Sequence, residues 1–310
     1  QRQMCIRDSY KESSLSIGGE LSKKQGKLLH YNILGELAIA GEDAGQFSVE
    51  GRGDLNLRLF GDTVRLDVNA FIKNQNPVFY FRHFQSKHYW WDNNDLSKIM
   101  RTRLEGKLSL NRWGTQLRAG VENIKNYTYL ANASIPVKDS EGNVTGFKNN
   151  AAVRQHSGNI QIFTAMLQQK LKVGIFHLDG EVAYQKSSEQ DILPLPELSA
   201  YGNLYMKFGL AKKVLQIEMG ADVRYFSKYY APDYSPVIGQ FYNQNPDDKI
   251  EIGAFPIVNV YANLHLKRTR FFIMMYHVNA GSGKSNYFLA PHYPINPRMI
   301  KFGLSWNFFD

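Results

Sequence analysis

The sequence predicts an all-β protein, an antiparallel transmembrane β-barrel of the outer-membrane type. Apolar and polar residues alternate with period two along the 310-residue chain, and no helical periodicity persists for a dozen residues. The longest apolar run, 271–278, is far shorter than a membrane helix requires. The chain has 19 Phe, 18 Tyr and 25 Gly but a single Cys, which excludes a disulfide framework and a cysteine-rich zinc site.

The segment 46–60 shows the alternation most clearly. Its even positions from Gln46 to Arg58 are all polar, whereas its odd positions from Phe47 to Leu59 are apolar or glycine. One face of such a strand suits lipid and the other suits water. The same pattern predicts about thirteen strands, near residues 12–21, 28–40, 46–60, 63–74, 98–111, 115–126, 158–170, 174–186, 199–210, 214–227, 252–266, 271–280 and 298–309.

The connections between these strands alternate strictly in length. Tight turns at 61–62, 111–114, 172–174, 211–213 and 267–270 separate long connections at 75–97, 127–157, 187–198, 228–250 and 281–297. All long loops therefore lie at one rim and all turns at the other, which is the arrangement of outer-membrane barrels with periplasmic turns. Because such barrels have an even number of strands, we expect a barrel of at least fourteen strands, of which this chain is a C-terminal fragment that contains thirteen.

The first nine residues, QRQMCIRDS, resemble translated sequencing-adapter sequence and are set apart from the barrel domain at 10–310. Cys5 lies within them and is assigned no function. The strand phases place eleven basic and ten acidic residues on the water-facing side, a near balance that predicts weak ion selectivity. The pore-lining residues predicted from these phases are Arg52, Asp54, Arg58, Arg65, Asp67, Arg101, Arg103, Glu105, Lys107, Arg118, Glu122, Asp179, Glu181, Glu218, Asp222 and Arg224.

The end of the chain, KFGLSWNFFD, carries a candidate assembly signal. Lys301, Gly303, Trp306 and Phe308 have the polar, glycine, aromatic and aromatic spacing that the barrel-assembly machinery reads on a last strand. Asp310 follows where many barrels stop at the aromatic residue. We therefore expect this machinery to be a partner of the protein.

Longer segments carry a family resemblance. These are HYWWDNND at 88–95, KVGIFHLDGEVAYQKSS at 172–188, the stretch from Ile192, GADVRYFSKYYAPDYSPVIGQFYNQ from Gly220, and PHYPINPR before the last strand. Together they resemble the Putative porin family of Bacteroidota over nearly all of the chain after residue 28. The resemblance implies an outer-membrane barrel more firmly than it implies a transported solute.

Other kinds of site find little support in the sequence. GSGKS at 281–285 resembles a phosphate-binding loop, but Val278 stands where that motif requires glycine and no helix pattern follows. The eight histidines lack the spacing of zinc hydrolases, and no nucleophile and base can be paired. We therefore predict no catalytic residue, metal or cofactor. The aromatic residues that crowd strand ends favour an interfacial girdle and packed loops over stacking platforms for sugars or nucleic acid.

The expected function is passive diffusion of small hydrophilic solutes through a water-filled barrel integral to the cell outer membrane, with possible homo-oligomers. An energy-transducer-dependent receptor, a barrel enzyme and a soluble lectin-like sandwich are the alternatives. The formal charge of +9 could suggest a nucleic-acid partner. However, the turns at one rim carry eleven basic residues against Asp62 alone, which favours anionic outer-membrane lipid or cell-wall carboxylates instead. These are Lys23, Lys24, Lys27, Arg112, Lys170, Lys172, Lys212, Lys213, Lys267, Arg268 and Arg270.

Overall fold

The computed structural model describes residues 11–26, 28–59, 61–283 and 286–308. Strands make up most of these residues, with one helical turn, α1 (Phe79–Arg82), and a 3-10 turn at Asn111–Trp113. None of the described helices is long and apolar enough to cross a membrane. In chain order the strands are β1 (Ser14–Lys23), β2 (Leu29–Gly41), β3 (Phe47–Leu59), β4 (Asp62–Gln75), β5 (His83–Gln85), β6 (Trp90–Asp92), β7 (Ile99–Leu110), β8 (Thr115–Asn132), β9 (Ile135–Lys138), β10 (Val144–Lys148), β11 (Ala151–Val173), β12 (Phe176–Ser187), β13 (Leu198–Leu210), β14 (Leu215–Phe226), β15 (Asp233–Ser235), β16 (Gln240–Tyr242), β17 (Ile257–Leu266), β18 (Thr269–Tyr276), β19 (Phe288–Ala290), β20 (Tyr293–Pro294) and β21 (Met299–Trp306).

A single antiparallel sheet of 13 strands forms the body of the protein. Its order is β1-β2-β3-β4-β7-β8-β11-β12-β13-β14-β17-β18-β21, so each strand pairs with its neighbour in the chain once the loop strands are set aside. We call these 13 strands the wall. Each predicted strand corresponds to one wall strand, which confirms the all-β prediction. Within the described residues the wall remains open, because β1 pairs only with β2 and β21 only with β18.

The loops are distributed between the two rims much as the sequence predicts. Tight turns join β3 to β4, β7 to β8, β11 to β12, β13 to β14 and β17 to β18 at one rim, which we call the turn rim. At the other rim, the loop rim, one connection is short: residues 42–46 form a turn in which the Gln46 amide donates to the Asp43 carbonyl. The prediction of strict alternation is wrong at this connection, where a local turn suffices to reverse the chain.

Two wall strands continue beyond their predicted ends. The prediction of a loop at 127–157 is wrong at both of its ends, because β8 runs on to Asn132 and β11 begins at Ala151. Asn126 has φ 58° within β8, and the register slips opposite it between His156 and Asn159. This bulge changes the side-chain phase, and a strict period-two pattern in the sequence therefore ends there.

Two other predicted strands are too long. Residues 252–256 lie outside β17 because Gly253 and Ala254 adopt φ 109° and 57°, which is incompatible with extended backbone. The strand predicted at 271–280 ends at Tyr276, since His277 has φ 52°. Both breaks bend the chain into loops at the loop rim.

The apolar face of the wall is exposed along its whole width. Side chains at its centre, such as Leu104 and Val121, keep 54% and 53% of their surface accessible. The other four sheets are two-stranded and belong to the loops, so in the described residues no second sheet covers this face. A sandwich would bury these rows, whereas lipid covers them in a barrel.

Candidate functional site

The register places the predicted charges on one face of the wall. Asp54 lies opposite Asp67, Asp67 lies opposite Lys107, and Lys107 lies opposite Arg118. Directly opposed residues of an antiparallel pair point to the same side of the sheet. We call this side the polar face. It is opposite the exposed apolar face, because successive side chains of a strand alternate.

A row of ion pairs runs across β2, β3, β4 and β7 on the polar face. His30 Nδ1 lies 2.9 Å from Asp54 Oδ2. Arg65 contacts both carboxylates: its Nη2 lies 3.8 Å from Asp54 Oδ1, and its Nε lies 2.7 Å from Asp67 Oδ1. Lys107 Nζ lies 2.9 Å from the other oxygen of Asp67. The opposed carboxylates of Asp54 and Asp67 would repel each other, and these cations compensate their charges.

A second row connects β7 to β8. Arg118 Nε lies 3.9 Å from Glu105, which Arg103 also contacts, and Arg103 lies 3.9 Å from Glu122. Arg101 Nη2 donates to Glu122 Oε1 at 2.5 Å. Since β7 and β8 are joined by ladder bonds, these pairs fix the charged groups at defined positions on the wall.

The remaining predicted residues of β3 lie at the margins of these rows. Arg52 is 73% exposed and lies 3.8 Å from Glu50, which Lys73 holds at 2.5 Å. Arg58 lies opposite Thr63, next to the turn that follows β3. The structure thus brings the predicted residues of β3, β4, β7 and β8 onto one continuous charged surface.

The predicted residues of β12, β13 and β14 are more dispersed. Asp222 is buried and accepts a hydrogen bond from Asn259 at 2.9 Å, while Asp179 lies opposite Asn203. Arg224 stacks over the Tyr201 ring at 5.6 Å. Polar neighbours also hold the other two carboxylates: Gln168 donates to Glu181 at 2.5 Å, and Lys207 lies 3.4 Å from Glu218. Their role as pore lining stays a prediction.

Sequence reasoning missed His30, Asn259 and Tyr261 on this face. His30 joins the first ion-pair row, and the Tyr261 hydroxyl donates to Asn203 Oδ1 at 3.1 Å. Each has the same phase as polar residues of its own strand, so a search that included uncharged side chains would have found them. Within the described residues, no cluster of histidine, cysteine and carboxylate side chains could hold a metal ion.

The first ion-pair row lines a recess of ≈ 710 Å³ on the polar face. Its lining combines charged groups of both signs, including Glu50, Arg65 and Lys107, with Asn32 and Asn69. Such a surface hydrates well because its charged and amide side chains offer hydrogen bonds to water. The recess can therefore accommodate water and small polar solutes.

Aromatic residues of the first long loop form a compact cluster above the wall. Tyr80, Phe84, Tyr89 and Trp91 pack with Leu130 of β8 and with Ala151, Val153, Ile238 and Tyr242. The Trp91 indole donates to the Tyr80 carbonyl at 2.8 Å, and the Tyr80 hydroxyl donates to the Ile238 carbonyl at 3.1 Å. Burial raises the pKa of Tyr80. These aromatic residues belong to the packed loops rather than to an interfacial girdle.

Contacts between long loops join them into one assembly, which we call the loop cap. Residues 227–256 reach past β13, β12 and β11 to β8, where Asn243 bridges Ala131. Lys249 Nζ lies 2.6 Å from Asp191 in the loop at 188–197, and His292 lies 3.2 Å from Asp233. The loop cap therefore spans several wall strands at the loop rim.

The last strand has the alternation that its sequence predicts, although it ends at Trp306 rather than at 309. Phe302 and Trp306 are 81% and 57% exposed, while Lys301 lies 5.0 Å above the Tyr276 ring on the other face; Phe308, beyond the strand, is 74% exposed. A β-carbon on Gly303 would lie 2.4 Å from the Phe272 ring, so glycine leaves the space that this ring occupies. Recognition of Lys301, Gly303, Trp306 and Phe308 by an assembly machinery stays a prediction.

Some predicted features lie outside the described residues. These are the segment 1–9 with Cys5, the rim residue Lys27, the terminal Asp310, and Lys284 and Ser285 of GSGKS. The other basic residues of the turn rim are described and lie in or beside the turns, as predicted.

A wall with one charged face, one exposed apolar face and long loops at a single rim defines an outer-membrane β-barrel protein. The comparisons agree with this class, and they show that the chain belongs to the family described as "Putative porin", whose model matches residues 1–310. No curated protein matches the chain. The Bacteroidota origin stays a prediction.

Several solved outer-membrane proteins share the fold. The siderophore receptor PirA from Acinetobacter baumannii matches with a TM-score of 0.61 at 9% identity, over 93% of this chain and 45% of PirA. The copper transporter OprC matches with a TM-score of 0.60 at 13% identity, over 94% of this chain and 48% of OprC. The ferric enterobactin receptor PfeA matches with a TM-score of 0.53 at 13% identity, over 89% of this chain and 45% of PfeA. The chain thus spans less than half the length of these proteins, and the likeness concerns the fold alone.

Proposed function

We propose that the protein is a porin that lets small hydrophilic solutes diffuse passively across the outer membrane. The observation that carries this proposal is the continuous charged surface on β2 to β8, placed opposite an exposed apolar face of the kind that suits lipid. In a barrel such a surface faces the water inside. Side chains that pair within the wall leave the path open for solutes of either charge, because near-balanced charges give little electrostatic selection.

A second candidate is a gated receptor, and the loop cap favours it. The cap reaches from the β14–β17 connection to β8 and is held by a buried aromatic cluster. Similar folds occur in proteins named as receptors for siderophores and ferric enterobactin. A receptor would keep this cap closed to small ions until a ligand binds.

Conductance of the complete protein in planar bilayers separates the two proposals, because the wall described above is open between β1 and β21. A porin gives stepwise, ohmic conductance without any ligand, with a reversal potential near zero in a potassium chloride gradient. The Glu181→Gln variant removes one wall charge and should shift the reversal potential by only a few millivolts, because the other charges remain in place. Silent membranes with correctly inserted protein would exclude the passive porin and favour the gated receptor.

A further inference from the structure

A second recess lies at the turn rim, well apart from the ion-pair rows. It has a volume of ≈ 680 Å³, within the size range of pockets that bind small molecules. Its walls come from the ends of β13, β14, β17 and β18 and from the two turns that connect them in pairs. We call it the rim recess.

The rim recess concentrates positive charge. Lys207, Lys213, Lys267 and Arg270 line it, and Glu218 is the acidic residue among its lining side chains. Lys207 is engaged with Glu218 at 3.4 Å. In the described part of the chain, the side chains of Lys213 and Lys267 make no ion pair. Two cations therefore remain available to an incoming anion.

Hydrogen-bond donors and a fixed geometry accompany these charges. Arg270 donates to Asn263 Oδ1 at 2.8 Å and its guanidinium lies 5.6 Å from the centre of the Phe272 ring, so its position is defined from two sides. Lys213 and Lys267 lie in tight turns, where they adopt φ 68° and 51°. A guanidinium group and ammonium groups around one recess can donate charge-assisted hydrogen bonds to phosphate or carboxylate oxygens.

The rim recess opens on the polar face. Gln216 lies opposite His265, which lies opposite Arg270, and this series continues the face that carries Glu218 and Asp222. Lipid headgroups meet the wall from the apolar side, where Leu264 and Leu266 alternate with His265. The position of the recess therefore favours a dissolved anion over a lipid.

We propose that the rim recess binds small multivalent anions, such as diphosphates or polycarboxylates, at the turn-rim mouth of the barrel. The inference deepens the proposed porin function, because it rests on the polar face being in contact with water. Binding there concentrates such anions at one mouth, and it retards their passage relative to monovalent anions of similar size.

Calorimetric titration of the detergent-solubilised full chain with inorganic pyrophosphate tests the proposal without requiring conductance. The wild type should bind pyrophosphate, and binding should weaken as sodium chloride rises, since the interaction is electrostatic. The double variant Lys213→Asn, Lys267→Asn should lose affinity about tenfold or more, because two unpaired cations near the anion are removed. Asparagine tolerates positive φ, so the turns are retained.

Lys212→Asn is the matched control. Lys212 is the adjacent turn lysine, has φ 58° and does not line the recess, so its removal should change the affinity less than about twofold if attraction is local. If the wild type does not bind pyrophosphate, the proposal is overturned. It is also overturned if Lys212→Asn loses as much affinity for pyrophosphate as the double variant does. Binding seen only with phosphatidylglycerol vesicles would also overturn it and would identify a lipid site instead. If pyrophosphate binds to a protein that does not conduct, the porin proposal fails while the site remains.

Discussion

Leu167 offers a direct test of which face meets lipid. It lies in β11 between Leu117 and Val182 of the adjacent strands. Among the residues of β11 that point to the apolar face, from Phe163 to Leu171, it is the middle one. It is 42% exposed. Leu167 is six residues from Val173 at the strand end, and about 3.3 Å of rise per residue with a tilt of about 40° places it about 15 Å above the turn rim. This height is close to the middle of an apolar band of about 25 Å.

Arginine at this position should therefore destabilise the inserted protein by about 2–4 kcal/mol, the cost near a bilayer midplane. In an aqueous protein the same exposed position would tolerate arginine within about 0.5 kcal/mol. Urea unfolding of Leu167→Arg in lipid vesicles measures the difference. The control is Gln168→Arg, since residue 168 points to the polar face near Glu181 and should be nearly neutral. A neutral Leu167→Arg, or equal losses for both variants, would refute the assignment of the two faces.

Three further predictions concern the last strand and the loops. Gly303→Leu should destabilise the protein by about 1–3 kcal/mol, because the new side chain overlaps with the Phe272 ring. In urea unfolding, the double variant Gly303→Leu, Phe272→Ala should recover much of this stability, and an unchanged stability of Gly303→Leu would contradict the contact. Trp91→Ala should lower the stability of the loop cap by about 3–5 kcal/mol. Limited proteolysis should then cut the loops faster, while the circular dichroism signal of the wall strands stays the same. A uniform loss of strand structure would show instead that the cap and the wall unfold as one unit. The backbone N–H of Asn143 holds the pKa of the Asp139 carboxyl below its usual value. The Asp139 carboxylate therefore stabilises the β9–β10 hairpin above about pH 4, and this stabilisation is lost as the pH falls below that. Amide exchange of the hairpin should show the loss in the wild type and not in Asp139→Asn, and identical pH profiles of the two proteins would contradict this role of Asp139.

Period-two alternation predicts the wall well because each strand meets lipid on one side and water on the other. Leu57 and Arg58 could not exchange faces without placing charge in lipid, so the phase of β3 is fixed by the sequence itself. The charged residues on the polar face follow from the same phase, although their ion partners do not. Arg65 and Asp67 share a face of β4, but whether Arg65 also pairs with Asp54 of β3 depends on the register between the strands, which a single sequence does not contain.

The loop cap could not be predicted in the same way. Residues 227–256 contact β8 although more than 100 positions separate Asn243 from Ala131 along the chain, and no local periodicity records such a contact. The bulge at Asn126 shows a similar limit, because one residue at φ 58° reverses the phase of those that follow. Turns and bulges depend on individual backbone angles, whereas strands depend on a repeated pattern.

A cysteine scan along β3 tests most directly that one face of the wall meets water and the other meets lipid. Single cysteines at positions 50–57, in a Cys5→Ser background, are inserted into vesicles and exposed to a charged, membrane-impermeant thiol reagent. Residues 50, 52, 54 and 56 should react through the water inside, whereas 51, 53, 55 and 57 should be protected. When the latter four carry an apolar fluorescent label instead, lipid-bound nitroxide should quench its emission. Uniform reactivity, or reaction that ignores this alternation, would contradict the account of the protein as a water-filled membrane barrel.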